Sequence, residues 1–103
     1  MNVTVEASGG LVIAYIEGEI DHHSAIAIRE KLDSKISLVK PKHLILDFKY
    51  VSFMDSSGIG LVLGRYRIMQ NYKGTLEIRN VSHQTKKIME LAGIGRIAII
   101  KEK

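Results

Sequence analysis

The stretch SFMDSSGIGLVLGRY, residues 52–66, contains the transition on which the predicted fold depends. An apolar segment leads into a polar turn, residues 55–58, and residues with helical spacing follow. Aspartate and serine are favoured at helix N-termini because their side-chain oxygens accept hydrogen bonds from free amides of the first turn. The stretch therefore predicts a helix from about Ser57 to Tyr72, closed by Lys73-Gly74.

Strand and helix patterns alternate on both sides of this stretch. Residues 24–39 predict a helix with apolar side chains every three or four positions. Residues 43–48 predict a short apolar strand, followed by a loop over residues 49–56. The remaining predicted elements are strands at 2–7, 11–17, 75–80 and 96–100, and a helix that Ser82 caps and that ends at Ala92.

The order of these elements predicts how the strands pair. Strand–helix–strand connections of this length require parallel pairing and right-handed crossovers, whereas the opening hairpin adds an antiparallel pair. We therefore expect an α/β domain with a mixed sheet and helices packed on it. Ligands and partners of such sheets meet the loops beyond the carboxyl ends of the strands, where residues 55–58 lie.

Composition narrows the class of protein. A chain of 103 residues that is 46% hydrophobic suits one compact domain. The absence of cysteine excludes disulfides, thiolate metal sites and thiol catalysis. No apolar run approaches the ~20 residues that cross a bilayer, and the first residues lack the layout of a signal peptide. We expect a cytoplasmic protein without membrane contact.

The net charge of +4 is unevenly distributed. Residues 1–34 carry six acids and two bases, whereas the remainder carries five acids and thirteen bases. The bases are scattered, and the chain has few aromatic residues on which nucleobases could stack. We therefore expect a solvated basic surface and no direct contact with nucleic acid.

The helix at 57–72 is apolar on more than one side. At about 100° per residue, its predicted core face consists of Ile59, Val62, Leu63, Tyr66 and Met69. The other side combines small and apolar residues, which is unusual for a solvent face, and exposed apolar patches with polar borders usually mark binding sites. The predicted partner-binding residues are Leu61, Gly64 and Ile68 beside Ser57, with Gly60 and Arg65 at the margins.

Ser57 has three possible roles: a helix cap, a nucleophile or a phosphate acceptor. A hydrolase nucleophile needs a glycine before the serine, whereas in this turn the glycine follows it. It also needs a base within hydrogen-bond reach, and none of the four histidines has supporting spacing. Phosphate would add about −1.5 to −2 charges at the first turn, which the helix tolerates. A partner docked on Leu61 and Ile68 would not tolerate that charge, so phosphorylation would act as a release switch.

Other candidate sites have weaker support. His22 and His23 are adjacent, whereas metal ligands on one helix face are separated by four positions, so we expect no metal site. The glycines at 58, 60 and 64 lack the lysine and serine or threonine of a phosphate-binding loop, so we expect no nucleotide cofactor.

Two blocks of sequence resemble one family. GEIDHHSA, residues 18–25, and residues 52–66 are similar to the bacterial anti-sigma factor antagonists of the STAS-domain family, and the predicted element order agrees over essentially the whole chain. The resemblance implies a single STAS domain over residues 1–103. It also implies a mixed sheet of four or five strands with the helices mainly on one face.

The resemblance further implies a regulatory protein that is not an enzyme. Its partners would be an anti-sigma factor that is also a serine kinase, and a serine phosphatase of the PP2C type. Binding of the kinase would free a sigma factor, as in sporulation, and the protein would be a monomer. Ser57 matches the phosphorylated serine, Asp21 and Asp55 match residues that shape the site, and Ser56 and Gly58 belong to the same motif.

A second interpretation keeps the fold and drops the sigma factor. STAS domains also occur as scaffolds or transport-associated subunits. The apolar face of the helix would then be a constitutive contact, and Ser57 would serve only as a helix cap.

Overall fold

The computed structural model describes residues 3–103. Five strands form one sheet in the order β1-β2-β3-β4-β5, with β1 antiparallel to β2 and the other neighbours parallel. The predicted mixed sheet is therefore confirmed. The elements are β1 (Val3–Ser8), β2 (Leu11–Ile20), α1 (His22–Val39), β3 (His43–Met54), α2 (Ser56–Asn71), β4 (Thr75–Val81), α3 (His83–Leu91), a 3-10 turn (Ile94–Arg96) and β5 (Ile99–Glu102).

The helices pack on one face of the sheet. Rows of paired side chains on that face are fully covered, whereas Ile13, Ile45 and Glu77 on the other face stay half-buried. Helix α1 lies against β1 and β2, and α2 lies against β3 and β4. Side chains of both layers form one core, which includes Val12, Ala14, Leu44, Leu46, Leu76 and Ile78 from the sheet and Ala25, Ile28, Leu32 and Ile36 from α1.

Strand β3 is longer than its sequence indicated. The loop predicted for residues 49–56 is wrong, because the strand continues to Met54, opposite Ile20 of β2. Strand β2 is also extended, and Gly18 lies in it with a φ of +87° between two register shifts. Gly18, which directly follows the predicted strand 11–17, therefore bulges the strand and does not end it. Each extension supplies hydrogen bonds to the other, which neither segment could form alone.

Smaller differences concern element ends. Helices α1 and α2 begin two residues and one residue earlier than predicted, and the last strand begins at Ile99 because residues 94–96 form the 3-10 turn. Ser82 caps α3 as predicted, with its hydroxyl accepting a hydrogen bond from the Thr85 amide at 3.1 Å. Residue 2 of the first predicted strand lies outside the described residues.

Hydropathy along the helices bears on membrane insertion. Within residues 3–103, no helix is both long and apolar enough to cross a membrane.

Candidate switch and partner-binding site

Two helix N-termini lie side by side at the carboxyl edge of the sheet. Asp21 follows β2 and caps α1, and Asp55 follows β3 and caps α2. The strands are parallel neighbours, and the Asp55 amide donates to the Ile20 carbonyl at 3.1 Å. The two predicted site-shaping aspartates are therefore both helix caps on the same edge.

The start of α1 is a closed capping box. The Asp21 carboxylate accepts from the Ser24 amide at 2.9 Å, and the Ser24 hydroxyl accepts from the Asp21 amide at 2.9 Å. That hydroxyl also donates to the Glu19 carbonyl at 2.7 Å. The hydrogen bond from the Ser24 amide favours the ionised carboxylate and lowers the pKa of Asp21 from its ordinary value of 3.8. Every polar group of Ser24 is thus engaged.

The start of α2 is capped differently. The Asp55 carboxylate accepts from the Ser57 amide at 2.8 Å, and the Asp55 carbonyl accepts from the Gly58 amide at 3.0 Å. The Ser57 hydroxyl takes part in no hydrogen bond within residues 3–103. Ser57 is half-buried, and its oxygen is not among the buried side-chain atoms that lack a partner. Its hydroxyl is therefore reachable and uncommitted.

Gly58 brings α2 close to the end of β3. It is buried, and a Cβ at this position would collide with the Met54 side chain. Ser56, the first residue of the helix, is exposed. The motif thus combines a tight contact at Gly58 with two serines on the outer side of the turn.

The predicted orientation of α2 is wrong in part, because Val62 and Met69 are fully buried as predicted but the side expected to be open is not. Leu61 is only 4% exposed and belongs to the core, and Ile68, expected on the open side, is half-buried and packs against the same core. The buried residues are Gly58, Leu61, Val62, Arg65 and Met69. Apolar residues lie on nearly all sides of this helix, so its periodicity alone did not determine which side faces inward.

Arg65 also departs from its predicted marginal position. It is 4% exposed, and its Nε lies 3.0 Å from Oδ1 of Asp33 on α1. The contact is an ion pair whose angles do not meet those of a hydrogen bond. Burial lowers the pKa of Arg65, with Asp33 opposing the change, and burial raises the pKa of Asp33, with Arg65 opposing it. Arg65 on the inner side of α2 is thus accompanied by the acid that a buried guanidinium needs.

A groove of about 360 Å³ runs between α1 and α2. Five of the residues predicted for the switch or for partner binding line it: Ser57, Gly60, Leu61, Gly64 and Arg65. The α1 side of the groove was not predicted from the sequence, and it is formed by His22, Ala25, Ile26 and Arg29. Their signal was available, since helices that follow adjacent parallel strands start side by side.

The arrangement offers little support for metal or hydrolase chemistry. Within residues 3–103, no group of three or more histidine, aspartate or glutamate side chains could hold a metal ion. His22 lines the groove with Ser57, but the two side chains form no hydrogen bond. The site instead presents a free hydroxyl at a helix start beside an open groove.

Comparison with known proteins agrees with this description. The family model of the STAS domain matches residues 2–103. An anti-sigma F factor antagonist of Paenibacillus polymyxa is 30% identical over 94% of this chain and 83% of that protein. A second, from Lysinibacillus sphaericus, is 37% identical over 82% of this chain and 72% of that protein.

Solved structures give the same result. The anti-sigma factor antagonist SpoIIAA in its unphosphorylated form superposes with a TM-score of 0.83 and 33% identity, over 95% of this chain and 86% of that chain. The phosphorylated form of the Bacillus SpoIIAA superposes with a TM-score of 0.76 over 95% of this chain and 89% of that one. The chain therefore belongs to the STAS domain family and, within it, to the anti-sigma factor antagonists. This family is regulatory, and its members interact with anti-sigma factors.

Proposed function

We propose that the unphosphorylated chain binds an anti-sigma factor that is also a serine kinase, so that the sigma factor is released. The kinase then transfers the γ-phosphoryl group of ATP to Ser57 Oγ, the hydroxyl proton leaves, and the antagonist dissociates. A PP2C-type phosphatase hydrolyses the phosphate and restores binding. We further propose that the chain acts as a cytoplasmic monomer formed by one STAS domain, in the control of sporulation or of a related transcriptional response.

The uncommitted hydroxyl of Ser57 carries this proposal. A phosphate acceptor must enter the active site of another enzyme, and a hydroxyl bound within its own protein would first have to break that contact. Asp55 caps the helix with its carboxylate, so the Ser57 hydroxyl is not needed for capping. This observation favours the switch over an interpretation in which Ser57 is only a cap.

The position of Ser57 supports a switch that leaves the fold unchanged. The added phosphate would lie at the N-terminus of α2, where the helix dipole stabilises negative charge. A partner surface without paired bases offers no such compensation, and burying a doubly charged group against it is strongly unfavourable. Phosphorylation would thus weaken binding without unfolding the antagonist.

The structure changes the surface that we assign to the partner. An exposed strip at Leu61 and Ile68 is not available, because the core covers both residues at least in part. The groove between α1 and α2 is open, and Ser57 and two unobstructed glycines, Gly60 and Gly64, line it. We therefore assign partner contact to this groove and its rim.

The proposal is tested by incubating the chain with each anti-sigma factor encoded in the same genome, with ATP and Mg²⁺. We expect a mass gain of one phosphate that maps to Ser57, is absent in Ser57→Ala and persists in Ser56→Ala. Wild type and Ser57→Ala should both bind the kinase before ATP is added. A phosphate that persists in Ser57→Ala would refute the site, and no binding by either protein would refute the function.

A further inference from the structure

The groove between α1 and α2 carries an excess of positive charge. Its lining includes Arg29 and Arg65 together with His22, and contains no acidic residue. Behind this wall, Asp33 is the acid paired with Arg65, and Arg29 lies close enough to affect the electrostatics of both. Within residues 3–103, Asp33 pairs with Arg65, and Arg29 forms no ion pair.

The hydrogen bonding of Arg65 is incomplete as well. Its Nη1 is buried and has no hydrogen-bond partner within residues 3–103, and its Nε faces Asp33 without hydrogen-bond alignment. Buried guanidinium donors are almost always paired, because the lost hydration is otherwise uncompensated. An oxyanion in the groove, in addition to the Asp33 carboxylate, would compensate the guanidinium of Arg65. The planar fork of arginine matches a carboxylate well.

There is room for such a group to enter. Beyond the neighbouring backbone of α2 itself, no group of residues 3–103 lies within 4 Å of where a Cβ would stand at Gly60 or Gly64, so α2 presents bare backbone at these two positions. The exposed Arg29 stands on the opposite wall. A side chain from another protein can therefore pass between the helices, meeting Arg29 first and the floor at Arg65 afterwards.

We propose that this groove receives an acidic side chain of the anti-sigma factor, whose carboxylate binds Arg29 and lies in the field of Arg65. The inference rests on the proposed function for the identity of the partner, and charge complementarity argues for the acid. It also gives the switch an electrostatic cause. Phosphate on Ser57, which lines the same groove, would add negative charge there and repel the incoming carboxylate.

The experiment measures binding of the unphosphorylated chain to its cognate anti-sigma factor by calorimetry, at low and at physiological salt. We expect Arg29→Glu to weaken binding at least about tenfold, and Arg29→Gln to weaken it less. The matched control is Arg67→Glu, an equal charge reversal at an exposed position of α2 outside the groove lining, which should stay within about twofold. Arg29 is substituted rather than Arg65 because it is exposed and holds no buried pair.

A reciprocal change identifies the acid. Lysine substitutions at acidic positions of the anti-sigma factor should include one that weakens binding to wild type and restores binding to Arg29→Glu. If Arg29→Glu binds like wild type, or if Arg67→Glu loses as much affinity, the groove inference is overturned while the proposed function stands. If wild type itself binds no anti-sigma factor, the proposed function fails first.

Discussion

The two helices that start at the carboxyl edge of the sheet are both capped by an aspartate, but they differ in what the nearby serine hydroxyl does. Each begins with an aspartate cap that follows a parallel strand. In α1 the third helical residue is Ser24, whose hydroxyl closes the capping box and also bonds a strand carbonyl. In α2 the third residue is Gly58, and the serine stands one position earlier with its hydroxyl free.

A displacement of one residue thus separates a serine whose hydroxyl closes a cap from one whose hydroxyl makes no hydrogen bond within residues 3–103. At the third helical position a serine side chain folds back onto the capping residue, so that its hydroxyl accepts a hydrogen bond from the backbone amide of that residue. At the second position the backbone amide meets the cap and the side chain points away from it. We therefore infer that the Ser57 hydroxyl is free because Ser57 holds the second helical position and not the third.

The largest effect is expected from negative charge at the free serine. Ser57→Asp should weaken binding of the cognate anti-sigma factor by at least about tenfold, because the carboxylate adds one charge at the groove. Full phosphorylation should weaken it further, since the phosphate brings about −1.5 to −2 charges. Ser24→Ala, at the closed helix start, should leave the affinity unchanged, as calorimetry can check. Equal losses in both variants would mean that the two starts are functionally alike.

The next test concerns Gly58, which holds in α2 the third helical position that Ser24 holds in α1. Gly58→Ala should lower the free energy of unfolding by roughly 1–3 kcal/mol, because its Cβ overlaps the Met54 side chain. Gly60→Ala, two residues later with open space around it, should instead raise the free energy of unfolding by about 0.5–1 kcal/mol. Urea unfolding measures both. A stabilising Gly58→Ala would show that the close contact does not constrain the turn.

Capping in α2 depends on Asp55 alone, and this can be separated from Ser57. Asp55→Ala should cost about 1 kcal/mol of unfolding free energy, since the Ser57 amide loses its acceptor. Ser57→Ala should change the free energy of unfolding by less than about 0.5 kcal/mol, because its hydroxyl makes no hydrogen bond. If thermal and urea unfolding gave equal losses for the two variants, Ser57 would be part of the cap and the contrast with α1 would fail.

The smallest effect concerns pH at the closed helix start. The pKa of Asp21 is lowered in the folded state, so its stabilising contribution is complete above the ordinary value of 3.8 and is lost as the pH falls through the lowered value. Asp21→Asn should remove this dependence. The quantity to measure is the difference between the two proteins' unfolding free energies from pH 7 to pH 2.5, which should shrink at the acidic end. A difference that stays constant with pH would contradict the ionised cap.

The pH dependence of the wild-type unfolding free energy alone would not isolate Asp21, because Asp33 contributes a pH dependence of the opposite sign. Burial raises the pKa of Asp33, so its contribution is complete below 3.8 and is lost as the pH rises through the raised value. Both proteins in the comparison contain Asp33, and its contribution therefore cancels in the difference.

Much of the fold followed from local patterns in the sequence. The apolar spacing of α1 was confirmed at Ala25, Ile28 and Leu32, because one side of that helix is clearly polar. The cap at Ser82 was recognisable since capping involves residues only three positions apart. The extension of β3 to Met54 was not recognisable, because its hydrogen bonds come from β2, more than thirty residues away.

By itself, the sequence determined the order of strands and helices, the cap at Ser82 and the serine turn that marks the family. These features depend on neighbouring residues and on short-range hydrogen bonds, which any reading of the chain can examine. Only the tertiary structure decided which side of α2 faces inward, because apolar residues surround that helix and the outcome depends on packing. It also decided that Arg65 meets Asp33 and that a basic groove opens beside Ser57, since charges far apart in sequence interact only once the two helices lie together.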